Sequence, residues 1–309
     1  MQNPCPAGAR EQWLAPRDQV RLRAMTWPGD SAPSDKGSIL VLQGRTESIE
    51  KYFETIGELR ARGYAVAAFD WRGQGLSGRA LANRHKGYVK DFSEYHLDLD
   101  AFFDQCVSPA LPPPYTLLAH SMGAHIAVRY LRARPQPFAR AILCSPMAYI
   151  NTPLPYIVAR AVAKTGAALG CGEDYVPGGK DYSRAREPFK NNRLTSDRGR
   201  YERNADILEN NPGLALGSPT VAWLEAAYRS MKMVLDPAYC KDIRTPAILF
   251  YGTEERVSLP EYQKLLAERL ARCEAICING ARHEILQETD DIRAHFWAAF
   301  DRFMKNPSA

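Results

Sequence analysis

The segment Tyr115 to Tyr130, YTLLAHSMGAHIAVRY, carries the pattern best suited to chemistry. An apolar run ends at Ala119, Ser121 follows two positions later, and Gly123-Ala124 open a stretch with apolar Ile126, Ala127, Val128 and Leu131. That order reads as strand, tight turn and helix with a serine at the apex. Such a turn is sharp and brings the helix close to its neighbouring strand, so it calls for small residues two before and two after the serine. The usual form is G-x-S-x-G; here Ala119 stands for the first glycine and keeps the volume small. A lone serine near a glycine is most often structural, and the strand-turn-helix setting is what makes Ser121 the candidate nucleophile.

An unassisted serine alcohol is a poor nucleophile, so the reading demands a histidine later in the chain to take its proton and a carboxylate to orient that histidine. Of the six histidines, only His283 and His295 follow the last two apolar strand-like runs. His283 sits in a turn, NGARHEILQE, where a base could hang over the end of a sheet, whereas His295 falls inside the amphipathic stretch Thr289 to Met304. His283 is the candidate base. Its neighbour Glu284 does not make a zinc site, because HEILQ lacks the second histidine of H-E-x-x-H. The acid is expected in the loop after PAILFY, Gly252-Thr253-Glu254-Glu255-Arg256-Val257, which offers two adjacent carboxylates. Neighbouring side chains in an extended or turn segment face different ways, so one of the two reaches His283. An oxyanion also needs backbone N–H donors. Met122, the residue after the nucleophile, is one; Arg45, in the loop Gly44-Arg45-Thr46, is the other through its amide, leaving its side chain for a polar headgroup or a salt bridge.

These residues need a scaffold that brings distant loops together. The apolar runs Ser38 to Gln43, Tyr64 to Phe69, Tyr115 to Ala119, Ala139 to Cys144, Pro246 to Tyr251 and Glu274 to Ile278 each span one buried strand, and residues 20–27 suggest an early antiparallel pair. Helical patterns alternate with them, as in Ile49, Tyr52, Phe53, Ile56 and Leu59, closed by Gly63. The expected fold class is α/β, a mostly parallel sheet flanked by helices. The rhythm breaks between Met147 and Lys241, so residues 1–146 and 241–309 are expected to form the core and 147–240 an inserted helical cap. Tyr149, Tyr156, Trp223 and Tyr228 are candidates for its pocket lining, with ordinary packing as the plainer role. Within this insertion Arg184 to Arg203 holds seven Lys/Arg and three Asp/Glu, a solvated face or a patch for anionic headgroups or a membrane surface.

The composition narrows the classes further. The chain has 309 residues, 45% hydrophobic and 24% charged, with a formal charge of +5, too small an excess for a dedicated nucleic-acid binder. Seven scattered cysteines without C-x-x-C fit neither a disulfide scaffold nor a zinc knuckle, which suggests a reducing, cytoplasmic setting. No basic-then-apolar leader or long apolar span is seen, so any membrane association is expected to be peripheral. Gly73-Gln74-Gly75-Leu76-Ser77-Gly78 satisfies G-x-G-x-x-G, yet no apolar helix follows it and no acidic strand end lies about 20 residues on. Asp70, Arg72 and Ser77 are expected to fix that loop instead.

Taken together, FDWRGQGLSGR, LAHSMGAH, QGRTESIEKYFE, GYVKDFSEYHLDLDAFF and NGARHEILQE make the chain resemble, over nearly its whole length, the monoacylglycerol lipase and lysophospholipase group of α/β-hydrolases, sometimes labelled serine aminopeptidase-like, and most closely its bacterial lysophospholipase branch. The resemblance implies an α/β-hydrolase fold and a serine carboxylic-ester hydrolase, releasing a fatty acid from a single-chain glycerolipid without metal or organic cofactor. It implies an acid three residues after the glycine of the late loop, which selects Glu255, and oxyanion donors at Arg45 and Met122. Departures from the group are Gln43-Gly44 where many relatives have His-Gly, Ala119 in the elbow, and Glu255 for the commoner Asp. Acyl transfer or peptidase chemistry by the same triad, and a catalytically inactive binding module, are the alternatives.

Overall fold

Runs rich in Val, Ile, Leu, Ala and Phe suit a pleated backbone covered on both faces, and they supply the central strands of one eight-stranded sheet. In a computed structural model, which describes residues 2–29, 36–152 and 156–305 (Tyr156 by its backbone only), the strands are β1 Arg10–Leu14, β2 Leu22–Trp27, β3 Ser38–Leu42, β4 Ala65–Phe69, β5 Tyr115–His120, β6 Phe138–Cys144, β7 Ala247–Gly252 and β8 Cys273–Ile278. Their order across the sheet is β1-β2-β4-β3-β5-β6-β7-β8. The early antiparallel pair forms between β1 and β2, and β2 is also antiparallel to β4. From β4 to β8 every pairing is parallel. The edge strands β1 and β8 are the ones with exposed positions, as an open edge requires.

The helices used below are α1 Phe53–Ala61, α2 Glu94–Ala101, α3 Met122–Ala133, α4 Tyr156–Ala168, α5 Arg198–Asn210, α6 Val221–Val234, α7 Pro260–Arg269 and α8 Asp290–Lys305. Alternate residues of a central strand feed opposite faces. Leu40 and Leu42 of β3 join one buried cluster with Ile126 and Ala127 of α3, whereas Ile39 and Val41 join another with Ile56 of α1 and Phe296 and Phe300 of α8. This is the two-period of a strand written into two hydrophobic layers.

Between β6 and β7 the chain leaves the sheet and forms α4, α5 and α6. Trp223, Ala227 and Met231 of α6 belong to the same buried cluster as α3, and Ser230 Oγ lies 2.5 Å from His125 Nε2 and accepts from Arg129 Nη1 at 3.0 Å. The insertion is therefore seated on α3 by shared packing. Trp223 and Tyr228 are core residues, and Tyr149 stacks on Tyr262 at 4.2 Å between ring centroids. The side chain of Tyr156 lies outside the described residues. The glycine-rich stretch after β4 is a local knot: Asp70 accepts from the amides of Ile49 and Leu76 at 3.0 Å each, and Ser77 Oγ donates to the Asp70 carbonyl at 2.6 Å. Arg72 instead reaches Asp98 at 2.7 Å and Asp18 at 2.6 Å. No helix opens directly from this loop, since α2 begins only at Glu94.

Candidate active site

The carboxyl ends of β3, β5, β7 and β8 lie side by side in a parallel sheet, and the loops that leave them meet along one edge, where open α/β sheets gather ligand-binding groups. β5 passes directly into α3 through Ser121, whose φ of 51° and ψ of −114° lie outside the regions open to ordinary residues. Surrounding bonds hold this conformation. The Ser121 amide donates to the Cys144 carbonyl at 2.9 Å, and the Ser121 carbonyl accepts from His125 N and Met147 N at 3.0 Å each. Ala119 pairs with Leu42 and Leu143 in the sheet and is fully buried, so a methyl group fits where the usual glycine stands. Gly123 has no such latitude: a Cβ there would lie 2.4 Å from the Leu42 carbonyl and 2.5 Å from that of Gln43. Gly123→Ala is expected to push α3 off β3 and cost about 3 kcal/mol, because backbone supplies the clash and cannot rotate away. A thermal melt or urea titration checks this, and an unchanged midpoint would show that the helix is not wedged there.

Ser121 Oγ donates to His283 Nε2 at 2.9 Å, and His283 Nδ1 donates to Glu255 Oε2 at 2.6 Å. The carboxylate accepts only, so the ring proton sits on Nδ1 and Nε2 is free to take the serine proton. Glu255 Oε1 accepts from the amides of Val257 at 2.7 Å and Ser258 at 3.2 Å, and Gln263 of α7 approaches Oε2 at 3.4 Å. Burial alone would raise its pKa, but the charge and hydrogen bond of His283 and those two amides outweigh it, holding the carboxyl below the usual range. Glu254 faces solvent and pairs with Arg256 at 3.3 Å. His295 is an exposed residue of α8. The extra methylene of a glutamate thus still meets the imidazole.

Met122 is the first residue of α3, where helical N–H groups lack intrahelical acceptors and the helix end is electropositive. Arg45 lies in the loop after β3. Among the described residues neither amide donates to another group, which leaves both N–H bonds available for an oxyanion. The Arg45 side chain turns away, stacks 5.3 Å from the Trp223 ring and donates from Nη2 to the Gly217 carbonyl at 2.6 Å.

Beside the triad lies a buried charge cluster that the sequence reading did not single out. His120 Nδ1 is 3.1 Å from Glu47 Oε2, and His120 Nε2 is 3.1 Å from the His283 carbonyl. Both partners are acceptors, so both ring nitrogens carry protons and the ring is a cation. Although burial pulls its pKa down, Glu47 pushes it above the ordinary histidine value by charge and hydrogen bond. Glu47 also accepts from Tyr52 at 2.7 Å, from Lys51 at 2.8 Å and from the Gly44 amide, and Lys51 continues to Glu284 at 2.6 Å. Two cations and two carboxylates thereby tie the loop after β3 to the residues flanking His283. Glu47 and Lys51 stand at i, i+4, a spacing that in a sequence reads as an exposed surface pair. The signal available beforehand was His120, the residue adjoining Ser121.

A cavity of about 530 Å³ adjoins this cluster, with Arg45, Thr46, Lys51 and Glu284 on the core side and residues between Tyr182 and Pro219 on the other. Ser121 and His283 are not part of its lining and are 7% and 4% exposed.

Similarity to known proteins agrees with this geometry. The Hydrolase_4 family model, described as serine aminopeptidase, S33, matches residues 33–290. Lysophospholipase L2 of Escherichia coli strain K12 is 34% identical over 263 residues, 83% of this chain and 76% of that protein. The probable lysophospholipase L2 of Haemophilus influenzae is 31% identical over 268 residues, 86% of this chain and 83% of its own. Among solved structures, a soluble variant of monoglyceride lipase from Saccharomyces cerevisiae, in complex with a substrate analogue, superposes with a TM-score of 0.76 at 17% identity, covering 100% of this chain and 99% of that one. That last likeness is one of fold.

Proposed function

Because the chain belongs to the Hydrolase_4 (serine aminopeptidase, S33) family of α/β-hydrolases and is an ester-hydrolysing enzyme, we propose that it releases a fatty acid from a single-chain glycerolipid, as the names of its lysophospholipase and monoglyceride lipase relatives indicate for those proteins. The observation that carries the assignment of roles is the hydrogen-bonded run Ser121 Oγ, His283 Nε2, His283 Nδ1, Glu255 Oε2. In the first half-reaction Oγ attacks the acyl carbon while His283 Nε2 takes its proton. The amides of Arg45 and Met122 hold the oxyanion, each contributing roughly 3 to 4 kcal/mol if preorganised. His283 then returns the proton to the glycerol oxygen as the C–O bond breaks, leaving the acyl group on Ser121. In the second half-reaction a water gives its proton to His283 and its oxygen to the acyl carbon, and the fatty acid departs as Ser121 is regenerated. Glu255 keeps the imidazole oriented and stabilises its protonated form throughout.

The test is turnover of a panel of lysophospholipids and monoacylglycerols, scored by released fatty acid, with an active-site fluorophosphonate as a probe of the nucleophile. Turnover of aminoacyl or peptide substrates in place of the lipid esters would overturn the substrate class.

The inserted segment, residues 147–240, serves in this reading as a cap that also meets the lipid surface. No described helix is long and apolar enough to cross a membrane. The support is α4 and the turn after it, where Ile157, Val158, Val162 and Leu169 are exposed at 80%, 46%, 45% and 75% while the face turned inward is built on Ala159 and Ala163. Its sequence has Arg160 and Lys164 and no acidic residue, the pattern of a helix that lies in an anionic interface. Replacing Ile157 and Leu169 by serine is expected to weaken binding to phosphatidylglycerol-containing vesicles about tenfold, measured by co-sedimentation. Equal binding of variant and parent would place the contact elsewhere.

A further inference from the structure

The basic stretch Arg184 to Arg203 divides by direction. Arg184 is held by Glu202, Asp206 and Glu209, Arg200 by Glu54, Asp197 and Asp290, and Arg203 by Glu54. Arg186, Glu187, Lys190 and Arg193, from the same stretch, line the cavity together with Arg45 of the core. Among the described residues none of these four cations has a carboxylate within 4 Å; Arg45 and Arg186 donate only to backbone carbonyls of Gly217 and Asp181. A second cavity of about 370 Å³ shares Asn191, Asn192 and Arg193 with the first and adds Arg256 and Arg282. Arg282, the chain neighbour of the base, likewise meets only carbonyls, those of Asn192 and Thr195.

Other buried arginines, Arg23 and Arg72, are each held by several carboxylates. The first cavity thus gathers four cations with no carboxylate within 4 Å among the described residues, with Glu187 as the one lining carboxylate not committed to Lys51, and Arg45 is the most telling of the four. Burial pulls its pKa down to about 10, so the guanidinium is held there at a cost that a bound anion would relieve. Leu194, Leu208 and Leu216 give the same cavity an apolar part, but a neutral glycerol headgroup would leave the cations uncompensated. The cavity's position decides which part of a substrate it serves. Arg45, in the loop after β3, and Glu284, the chain neighbour of His283, both line it, so it adjoins the residues flanking the proposed oxyanion donors and base, where the leaving alcohol would lie.

We infer that this cavity is a phosphodiester site, which receives the headgroup phosphate of a lysophospholipid through Arg45, Arg186, Lys190 and Arg193 and so selects phospholipid over monoacylglycerol. The inference rests on the ester-hydrolase reading of Ser121 and His283 and specifies which glycerolipid that site takes. Guanidinium groups suit the role because their planar N–H pairs match phosphate oxygens two at a time.

The test uses two arms. In the first, kcat/KM is measured for octanoyl-glycerophosphoethanolamine and monooctanoylglycerol, both below their aggregation concentrations, with the parent enzyme and with the double variant Arg186→Gln/Arg193→Gln. Both arginines are exposed on the insertion, and circular dichroism checks that the fold is kept. The parent is expected to prefer the phospholipid, and the variant to lose about tenfold of that preference, mainly through KM. An unchanged preference, or an equal fall on both esters, overturns the site. Loss of anionic-vesicle binding with the preference intact also overturns it, since the cations would then serve a membrane surface. In the second arm, glycerophosphoglycerol, which has no acyl group, is titrated onto the Ser121→Ala protein with and without the double substitution. Binding that weakens about tenfold in the variant upholds the site even if no ester is turned over, an outcome that would sink the hydrolase reading alone. No detectable binding to the Ser121→Ala protein overturns the site whatever the enzyme hydrolyses.

Discussion

Ser121→Ala is expected to lower kcat/KM on a single-chain lipid ester by about 10⁵-fold and to abolish fluorophosphonate labelling. The effect is large because in the proposed mechanism the hydroxyl forms the covalent bond, and removing it also leaves His283 Nε2, 2.9 Å away, without the proton it would take. It is finite because, in the proposed mechanism, the amides of Arg45 and Met122 would still stabilise an oxyanion formed by attack of water. The fold should tolerate the change. The strained backbone at φ 51° is held by amide and carbonyl bonds to Cys144, His125 and Met147, none of which involves the side chain. A melting temperature within a few degrees of the parent, together with the collapse in rate, separates chemistry from stability. Turnover reduced less than a hundredfold, or an adduct of equal yield on the alanine protein, would remove Ser121 from the reaction.

Glu255→Gln is expected to cost about 10⁴-fold in kcat, and Glu254→Gln less than about twofold. A glutamine at 255 presents either an amide N–H or a carbonyl to His283 Nδ1. If the N–H faces the ring, Nδ1 becomes the acceptor, the proton moves to Nε2, and the imidazole can no longer accept from Ser121. If the carbonyl faces it, the tautomer survives, but the protonated imidazole formed in the transition state has lost its counter-charge. The Val257 and Ser258 amides, at 2.7 and 3.2 Å from Oε1, keep the side chain in place and favour an oxygen there, directing the amide nitrogen toward the ring. The larger loss in the Glu254 variant would reverse the assignment.

The same substitution has a pH signature of definite sign. The Glu255 carboxyl is depressed in the folded chain relative to an unfolded glutamate of about 4.3, so its ionised form contributes stability above that value. That contribution is lost as pH falls through the folded value. The stability difference between parent and Glu255→Gln is therefore expected to be flat near neutrality and to shrink only in acid below about pH 4. Urea titrations across that range measure it, and a difference that shrinks instead on raising the pH would contradict the depressed carboxyl.

Much of the fold was legible because burial on two faces leaves a plain trace. The strands β3 to β7 are short continuous apolar runs, and their bounds agree with the sequence to within a residue or two. The helix patterned from Ile49 to Leu59 begins as a 3₁₀ turn, Ile49–Tyr52, and becomes α-helical from Phe53, a difference of hydrogen-bond register that side-chain periodicity does not report. The elbow was legible for a steric reason, since a helix packed onto the neighbouring strand's carbonyls admits little beyond a glycine at position 123.

By itself, then, the amino-acid sequence determined the sheet, the serine at its turn, the histidine at its last loop and the choice of two adjacent carboxylates. These depend on local steric and hydrophobic rules that act within a few residues. The residues of the loop after β7 alone left two carboxylates, between which the family resemblance selected Glu255; the tertiary structure shows why, since Glu255 is turned inward onto His283 while Glu254 faces solvent. Tertiary structure alone turned Glu47, Lys51, His120 and Glu284 from scattered charges into one buried cluster at the loop after β3. It also divided a single basic stretch into arginines neutralised by Glu54, Asp206 and Glu209 and cations left facing a cavity. A charge acquires its role from what it meets across the fold, and Coulomb energies in a poorly screened interior depend on distances that no local pattern encodes.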